Sequence, residues 1–312
     1  MNYPQRLRVL SCLLLPLLSF PVFGQTPPNQ NTQIQTQEFL KNNAFAPTKS
    51  VEEQAWENEF GRIVELERVK PWSITPYSST LGFWTTNARL ARANESSDAV
   101  LVQREGVDFV YHIDENWHLG VDYRFEIIRY HRNTNLDTNS SLPEVYVSRR
   151  LPWNWNVTIG DRETWLDFRH SNTAQYRENS PYLLATQFHA YLDSHLYWFY
   201  GFQYDHRFTH PSSFNRNEYQ VFTGATHDWT PQLVSQLMLS QDWQPYDSRG
   251  QAQSLNRRQE WISNGTLLTI WRPLPWLQLT GFVAAAYDNS INGVFDYKVV
   301  NLGAEIRLFW KF

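Results

Sequence analysis

From Pro71 to the last residue, hydrophobic and polar positions alternate with a period of two, the spacing that puts successive side chains on opposite faces of a β-strand. The closing stretch NLGAEIRLFWKF shows it without error. Leu302, Ala304, Ile306, Leu308, Trp310 and Phe312 form one apolar face, and Asn301, Glu305, Arg307 and Lys311 fall on the other. The third such stretch sets Trp117, Leu119, Val121, Tyr123, Phe125 and Ile127 against His118, Asp122, Arg124 and Glu126. A seventh sets Leu196, Trp198, Tyr200, Phe202 and Tyr204 against His195, Gln203, Asp205 and Arg207. In the sixth, Tyr182, Leu184, Phe188, Ala190 and Leu192 oppose Gln187, His189 and Asp193. The fifth changes phase near Asp161, which predicts a bulge.

Twelve segments carry the pattern, near 77–90, 99–113, 117–131, 143–151, 154–170, 182–193, 195–209, 218–229, 232–244, 258–272, 275–288 and 296–312. Each is long enough to cross a bilayer when tilted, for which about ten residues suffice. An apolar face that ends on Trp310 and Phe312 at a chain terminus needs a dry neighbour, and lipid supplies one. The pattern therefore predicts an all-β fold, a transmembrane antiparallel up-and-down β-barrel of about 12 strands over residues 71–312. An even count brings both chain ends to one side.

The connections agree. Tight links (Asp114-Glu115-Asn116, Pro152-Trp153, Asp193-Ser194, Thr230-Pro231, Pro273-Leu274-Pro275) alternate with longer polar ones at 133–142, 171–181, 211–217 and 247–256. Short periplasmic turns and longer outer loops are the usual asymmetry. Trp117, Trp153, Trp155, Trp198, Trp229, Trp276 and Trp310, with Phe312, gather at the short-turn end and predict an aromatic membrane girdle there.

Before Pro71 the period changes. Met1 to Arg8 is basic, Val9 to Phe23 is apolar and Gly24 is small, so residues 1–24 are expected to be a secretory signal peptide. Residues 25–49, rich in Gln, Asn, Thr and Pro, predict a flexible periplasmic leader. Ser50 and Glu53 have capping-box spacing. Val51, Ala55, Trp56, Phe60, Ile63 and Val64 then recur at helical steps, predicting an amphipathic periplasmic helix within 50–70. Such a stripe is expected to pack on the barrel's periplasmic rim, with a plug or a docked periplasmic partner at residues 50–68 as the functional alternatives.

Composition and charge narrow the function. Aromatic residues make up 16% of the chain, with 14 Trp and 16 Tyr, an excess that suits a bilayer interface. No run after residue 24 approaches the roughly 18 apolar residues of a spanning helix. The net charge of −4, with signs interspersed, leaves no basic stripe for nucleic acid. Cys12 is the sole cysteine and lies in the expected signal peptide, which excludes disulfides and thiol metal sites from the mature chain. No cofactor motif appears.

The polar faces are expected to turn inward, since a charge at the lipid-facing mid-plane costs about 2 to 4 kcal/mol. Arg104, Asp108, Asp122, Arg124, Glu126, His189, Asp205, Arg207, Glu305 and Arg307 are accordingly expected to line a lumen. His112, His118, His189 and His195 are expected to share luminal hydrogen bonds, with a metal or proton-responsive site as the alternative; no metal ligand set has diagnostic spacing.

Phe168-Arg169-His170-Ser171-Asn172 joins a nucleophile, a base and an amide, and with the twelve strands it resembles the outer-membrane phospholipase A family. That family places its His and Ser on one strand face in an His-x-Ser-Asn pattern. Here His170 and Ser171 are adjacent and point oppositely on an extended strand, which removes the activating geometry. Ser263-Asn264-Gly265 is a second partial echo. The C-terminal strand, with Phe83-Trp84-Thr85-Thr86-Asn87-Ala88 and Asn292-Gly293-Val294-Phe295-Asp296-Tyr297, resembles Gram-negative outer-membrane barrels, among them a group with a short periplasmic N-terminal helix. That likeness implies fold and outer-membrane location and no activity. It also implies that the barrel-assembly machinery reads the aromatic last strand. The expected function is a narrow, non-enzymatic porin-like channel or export pore for a small hydrophilic solute or polymer. A lipid-directed hydrolase and a sealed structural or adhesion barrel are the alternatives.

Overall fold

The computed structural model describes residues 71–312, apart from 93–94, 115, 170–174, 192–194, 248–257 and 292–294. The expected signal peptide, leader and amphipathic helix therefore lie outside the described residues. The strands are β1 (Trp72–Thr85), β2 (Asp98–His112), β3 (Trp117–Tyr130), β4 (Thr138–Leu151), β5 (Trp155–Phe168), β6 (Gln175–Tyr191), β7 (Leu196–His210), β8 (Arg216–Thr230), β9 (Leu233–Pro245), β10 (Gln259–Leu274), β11 (Leu277–Ser290) and β12 (Tyr297–Phe309). Every strand pairs antiparallel with its sequence neighbours, and β1 with β12 closes a twelve-stranded barrel. In a bilayer this closure matters because no backbone donor or acceptor can be left at an open edge facing hydrocarbon.

All twelve expected strands are present, and their bounds move for physical reasons. β1 begins at Trp72 rather than 77 and stops at Thr85, because the Asn87 amide ends it. Asn87 donates to the carbonyl of Ala91 (2.8 Å) and accepts from its amide (3.1 Å), closing a local loop. β4 and β6 start earlier than their apolar runs, at Thr138 and Gln175. Their polar first halves look like loop in sequence yet pair as wall at the long-loop end, with gaps in the ladder at Leu142 and Pro143 and at Ser180 and Pro181. The bulge expected near Asp161 is absent. Glu144 to Leu151 pairs with Arg162 to Trp155 without a register shift, and β5 with β6 likewise. Asp161 simply takes the outward face, where Asn179 donates to both its carboxylate oxygens (3.0 and 2.9 Å).

The outward face is broadly apolar, with Leu237, Leu239, Leu267, Leu302 and Ile306 all about half exposed. A further ring of aromatics crosses it near the long-loop end. Tyr204, Tyr219, Trp243 and Trp261 pack in sequence across β7 to β10, at centroid separations of 5.1, 5.2 and 5.9 Å. A further outward site is polar. Ser78, midway along β1 between Trp72 and Trp84, donates to the Glu105 carboxylate on β2 (2.9 Å), and Gln103 donates to the same oxygen (2.9 Å). Thr80 in turn donates to Gln103 (2.6 Å), so the group satisfies its own hydrogen bonds.

On the inner face, bulky rings lie flat against glycines of the adjacent strand. Tyr77 covers Gly106, Tyr146 covers Gly120 and Tyr182 covers Gly160, each so closely that a Cβ would collide with the ring. The missing side chains let these tyrosines lie along the wall instead of projecting into the lumen.

The chain's last residue closes the seam. Beyond the β12 ladder, the Trp310 amide donates to the Pro76 carbonyl (3.2 Å), and Phe312 exchanges both backbone hydrogen bonds with Ile74 (3.0 and 3.4 Å). The aromatic ending thus completes the first strand's edge. Deleting Phe312 removes that pair and an outward ring, and is expected to lower unfolding stability by about 1 to 3 kcal/mol. Urea unfolding in lipid vesicles, read by gel mobility of unheated samples, measures it; an unchanged midpoint would count against a role for this residue in closure.

Candidate functional site: the lumen and its outer mouth

Among the described residues, the ion pairs on the inner face fall into four groups. Near β12, β2 and β3, the Arg104 guanidinium bonds Glu126 (2.9 Å) and Glu305 (3.2 Å), and Arg124 lies 3.4 Å from Glu126. Across β4 and β5, Arg162 pairs with Glu144 (3.0 Å), which also accepts from the Tyr182 hydroxyl (2.5 Å). Across β6, β7 and β8, Arg207 bridges Glu178 (2.8 Å) and Glu218 (2.9 Å), Arg216 lies within 3.9 Å of both, and the Tyr176 hydroxyl donates to Glu178 (2.5 Å). At the mouth, Arg258 pairs with Glu260 (2.5 Å), which accepts from Tyr246 (3.1 Å), while the guanidinium stacks 4.0 Å from both Tyr246 and Phe295. Arg104, Arg207, Arg216, Glu126 and Glu260 are at most 2% exposed. Removing one partner of such a buried pair would strand the other at about 3 to 5 kcal/mol.

Of the residues expected to line the lumen, Arg104, Arg124, Glu126, Asp205, Arg207 and Glu305 are buried on the inner face. Asp108, Asp122 and Arg307 share that face and are half-buried. His189 is a correction. β6 buries its even positions, including Tyr182 and Thr186, so His189 points outward, exposed and stacked on Tyr200 at 5.7 Å. The physical reason is that β6 has a mixed periplasmic half, whose inner positions Leu184 and Phe188 join an interior apolar patch. Hydrophobicity alone reverses its faces. His112 and His118 do meet, inside the periplasmic end, with Nδ1 atoms 2.8 Å apart, so one ring donates and the other accepts. His195 is not part of this pair; it lies exposed in the turn before β7. Among the described residues no group of three or more potential ligands could hold a metal.

Trp153, Trp198, Trp229, Trp276, Trp310 and Phe312 are strongly exposed, and Trp117 and Trp155 half-buried, all at the short-turn end. Sequence reading misses Glu144, Arg162, Glu178, Arg216, Glu218, Arg258 and Glu260. Several fall where polarity on both faces of a strand reads as loop; strict alternation carried past the apolar segments finds them.

The inner wall is not uniformly polar. A continuous apolar band runs across it, from Phe188 and Phe199 near the periplasmic end of β6 and β7, through Phe222, Met238, Leu268 and Phe282, to Leu81, Val102 and Ile128 toward the outer end of β1 to β3. The sequence reading turns the polar strand faces inward and does not anticipate this band.

At the outer mouth, the chain that follows Thr85 turns inward at residues 87–90. Leu90, held at φ 47°, is 3% exposed and packs with Ile262, Ala286, Tyr297 and Val299 of the inner wall. Asn87 fastens it by donating to the Lys298 carbonyl (3.0 Å), and Arg89 donates to Asn133 in the next outer loop (3.0 Å). The Asp98 carboxylate clamps both loops, accepting from the amides of Arg132 (3.0 Å) and Asn133 (2.7 Å) and from the Asn133 side chain (2.9 Å). The mouth is therefore narrowed by a pinned loop.

Residues His170, Ser171 and Asn172 lie outside the described residues. Ser263 is on the outward face of β10, donating to Gln241 (2.7 Å), while Asn264 points inward to Asp242 (2.8 Å). The second partial echo is thus divided between the two faces of the wall.

No known family profile matches the chain. No curated protein matches it either. Solved structures do. An outer membrane channel from Pseudomonas putida F1 superposes with a TM-score of 0.51 at 11% identity, covering 77% of this chain and 96% of that one. NanC porin gives 0.45 at 10% identity over 74% and 98%, and LpxR from Salmonella typhimurium 0.44 at 8% over 76% and 100%. With its closed twelve-stranded wall and apolar exterior, the chain has the fold of bacterial outer-membrane β-barrels.

Proposed function

We propose that this protein is a narrow, non-enzymatic outer-membrane channel for small hydrophilic solutes, entered from outside past the inward-turned residues 87–90. The observation that carries the reading is the series of ion-paired Arg and Glu groups on the inner wall, from Arg104 and Glu305 at mid-height to Arg258 and Glu260 at the mouth. Paired charges of both signs cancel one another along the wall, so a solute meets no deep electrostatic trap at any depth, which suits passage over retention. Twelve strands enclose more space than the eight that side chains alone fill, and less than the wide porins of sixteen or more. Charged, polar or zwitterionic molecules of low mass fit such a bore.

Outer-membrane lipid is the surrounding partner, with the barrel-assembly machinery acting on the C-terminal strand. The sealed-barrel alternative is favoured by the near-complete burial of the inner charges, and current decides between the two. Purified full-length protein in planar bilayers is expected to give small, discrete steps, and liposomes holding it to pass small sugars and amino acids. No step and no flux would overturn the channel reading.

Residues 87–90, pinned by Asn87 and the Asp98 clamp, set the outer restriction in this reading. Asp98→Ala removes the acceptor of several amide hydrogen bonds, and is expected to lower stability by about 2 to 4 kcal/mol. It is also expected to raise unit conductance and make the loop cleavable by protease added outside sealed liposomes. Intact loops and unchanged conductance would show that the clamp does not hold the mouth.

A further inference from the structure

The apolar band on the inner wall needs a cover. Val102, Ile270, Leu81, Leu268 and Met238 are 0 to 2% exposed. Ala88 of the inward loop and Leu136 of the next outer loop pack on the outer part of the band. Among the described residues, however, no loop reaches its lower part at Phe199, Phe222, Met238 and Ile270, and a twelve-stranded lumen is wider than the roughly eight-stranded one that wall side chains just fill. Water over such a band would also be unfavourable by about 25 cal/mol for each Å² of apolar surface. The band has a direction as well, climbing from Phe199, near the start of β7, to Ile128, near the end of β3, with buried ion pairs above and below it. An elongated partner with one apolar and one charged side matches that shape.

The chain supplies one. Seventy residues precede the barrel, and they join it at Pro71, whose carbonyl accepts from the His112 amide (2.6 Å) at the periplasmic rim. Within them, residues 50–68 carry Val51, Ala55, Trp56, Phe60, Ile63 and Val64 at helical spacing, with Glu and Arg between. As a helix that span measures about 28 Å. The wall of tilted strands is about 35 Å high, taking about fourteen residues at about 3.3 Å each. A helix bonds its own backbone internally and so can enter a space where water is scarce.

We propose that residues 50–68 enter the lumen from the periplasmic side as an amphipathic helix and dock along this band, leaving the solute path on the helix's charged side. The consequence for passage rests on the channel reading above; the docking itself does not.

The test uses the full chain with Cys12→Ser, which leaves no native thiol. Phe60→Cys is combined with Phe222→Cys on the inner wall, or with Leu237→Cys on the lipid face as control, and only variants showing the folded gel mobility are used. Oxidation is expected to link the first pair and not the second, with the link confirmed by mass spectrometry of the digest. Phe60→Cys alone is expected to react at least tenfold more slowly with a membrane-impermeant maleimide than a Gln35→Cys leader control. Phe60→Asp, which places a charge on the band, is expected to raise conductance severalfold. Absence of the inner link together with labelling of Phe60→Cys at the leader's rate would overturn the proposal, as would capture of that thiol by a different protein. An inner link with no current from any variant would leave docking standing and overturn the channel reading instead.

Discussion

Backbone hydrogen bonding in a medium that offers none is the constraint from which the rest of this structure follows. Each strand must find a neighbour on both sides, so the twelfth must return to the first. The contacts of Trp310 and Phe312 with Pro76 and Ile74 are the last instalment of this closure. Pro76 lacks a donor toward β12, and the carbonyls of Pro76 and Ile74 are still occupied by amides of the final three residues. Without them, the periplasmic end of β1 would present bare acceptors beside lipid headgroups.

Closure creates two surfaces with different solvents, and the sequence answers each separately. Outside, apolar side chains and two aromatic zones meet lipid, and the few polar groups there settle their hydrogen bonds among themselves. Ser78, Thr80 and Gln103 do this around Glu105, as Asn179 does around Asp161. Inside, guanidiniums and carboxylates pair across neighbouring strands, because a confined charge with no partner is far more costly than one with two. Tyr182 serves both needs, its ring lying over Gly160 and its hydroxyl donating to Glu144.

Much of this is legible in sequence where one face meets lipid and the other does not. The period of two and the alternation of short and long connections follow from a wall with lipid on one side, so strand number and order can be read directly. Legibility fails where the lipid contrast weakens. The first halves of β4 and β6 are polar on both faces and read as loop, although Glu178 anchors an ion-pair group there. The faces of β6 read in reverse because Leu184 and Phe188 look lipid-facing, while the exposed His189 stacks on Tyr200 outside. Asp161 looks like a phase change because an outward carboxylate breaks the alternation without any break in the ladder. None of these shows in a pattern that assumes one greasy face and one wet one.

The same assumption hides the inward loop. Asn87, Ala88 and Leu90 continue the alternation of β1, and nothing in their hydropathy separates them from it. What separates them is a side-chain amide that satisfies the backbone locally, so that Leu90 can leave the wall and meet Ile262 and Val299 across the mouth. An apolar residue buried inside a barrel at its outer end has no lipid to explain it; its neighbours on the inner wall do. The interior is therefore a second packing environment with its own apolar demand, met at the mouth by the loop. Lower down, Phe222 and Met238 make the same demand, and the wall has no described loop at that depth to answer it.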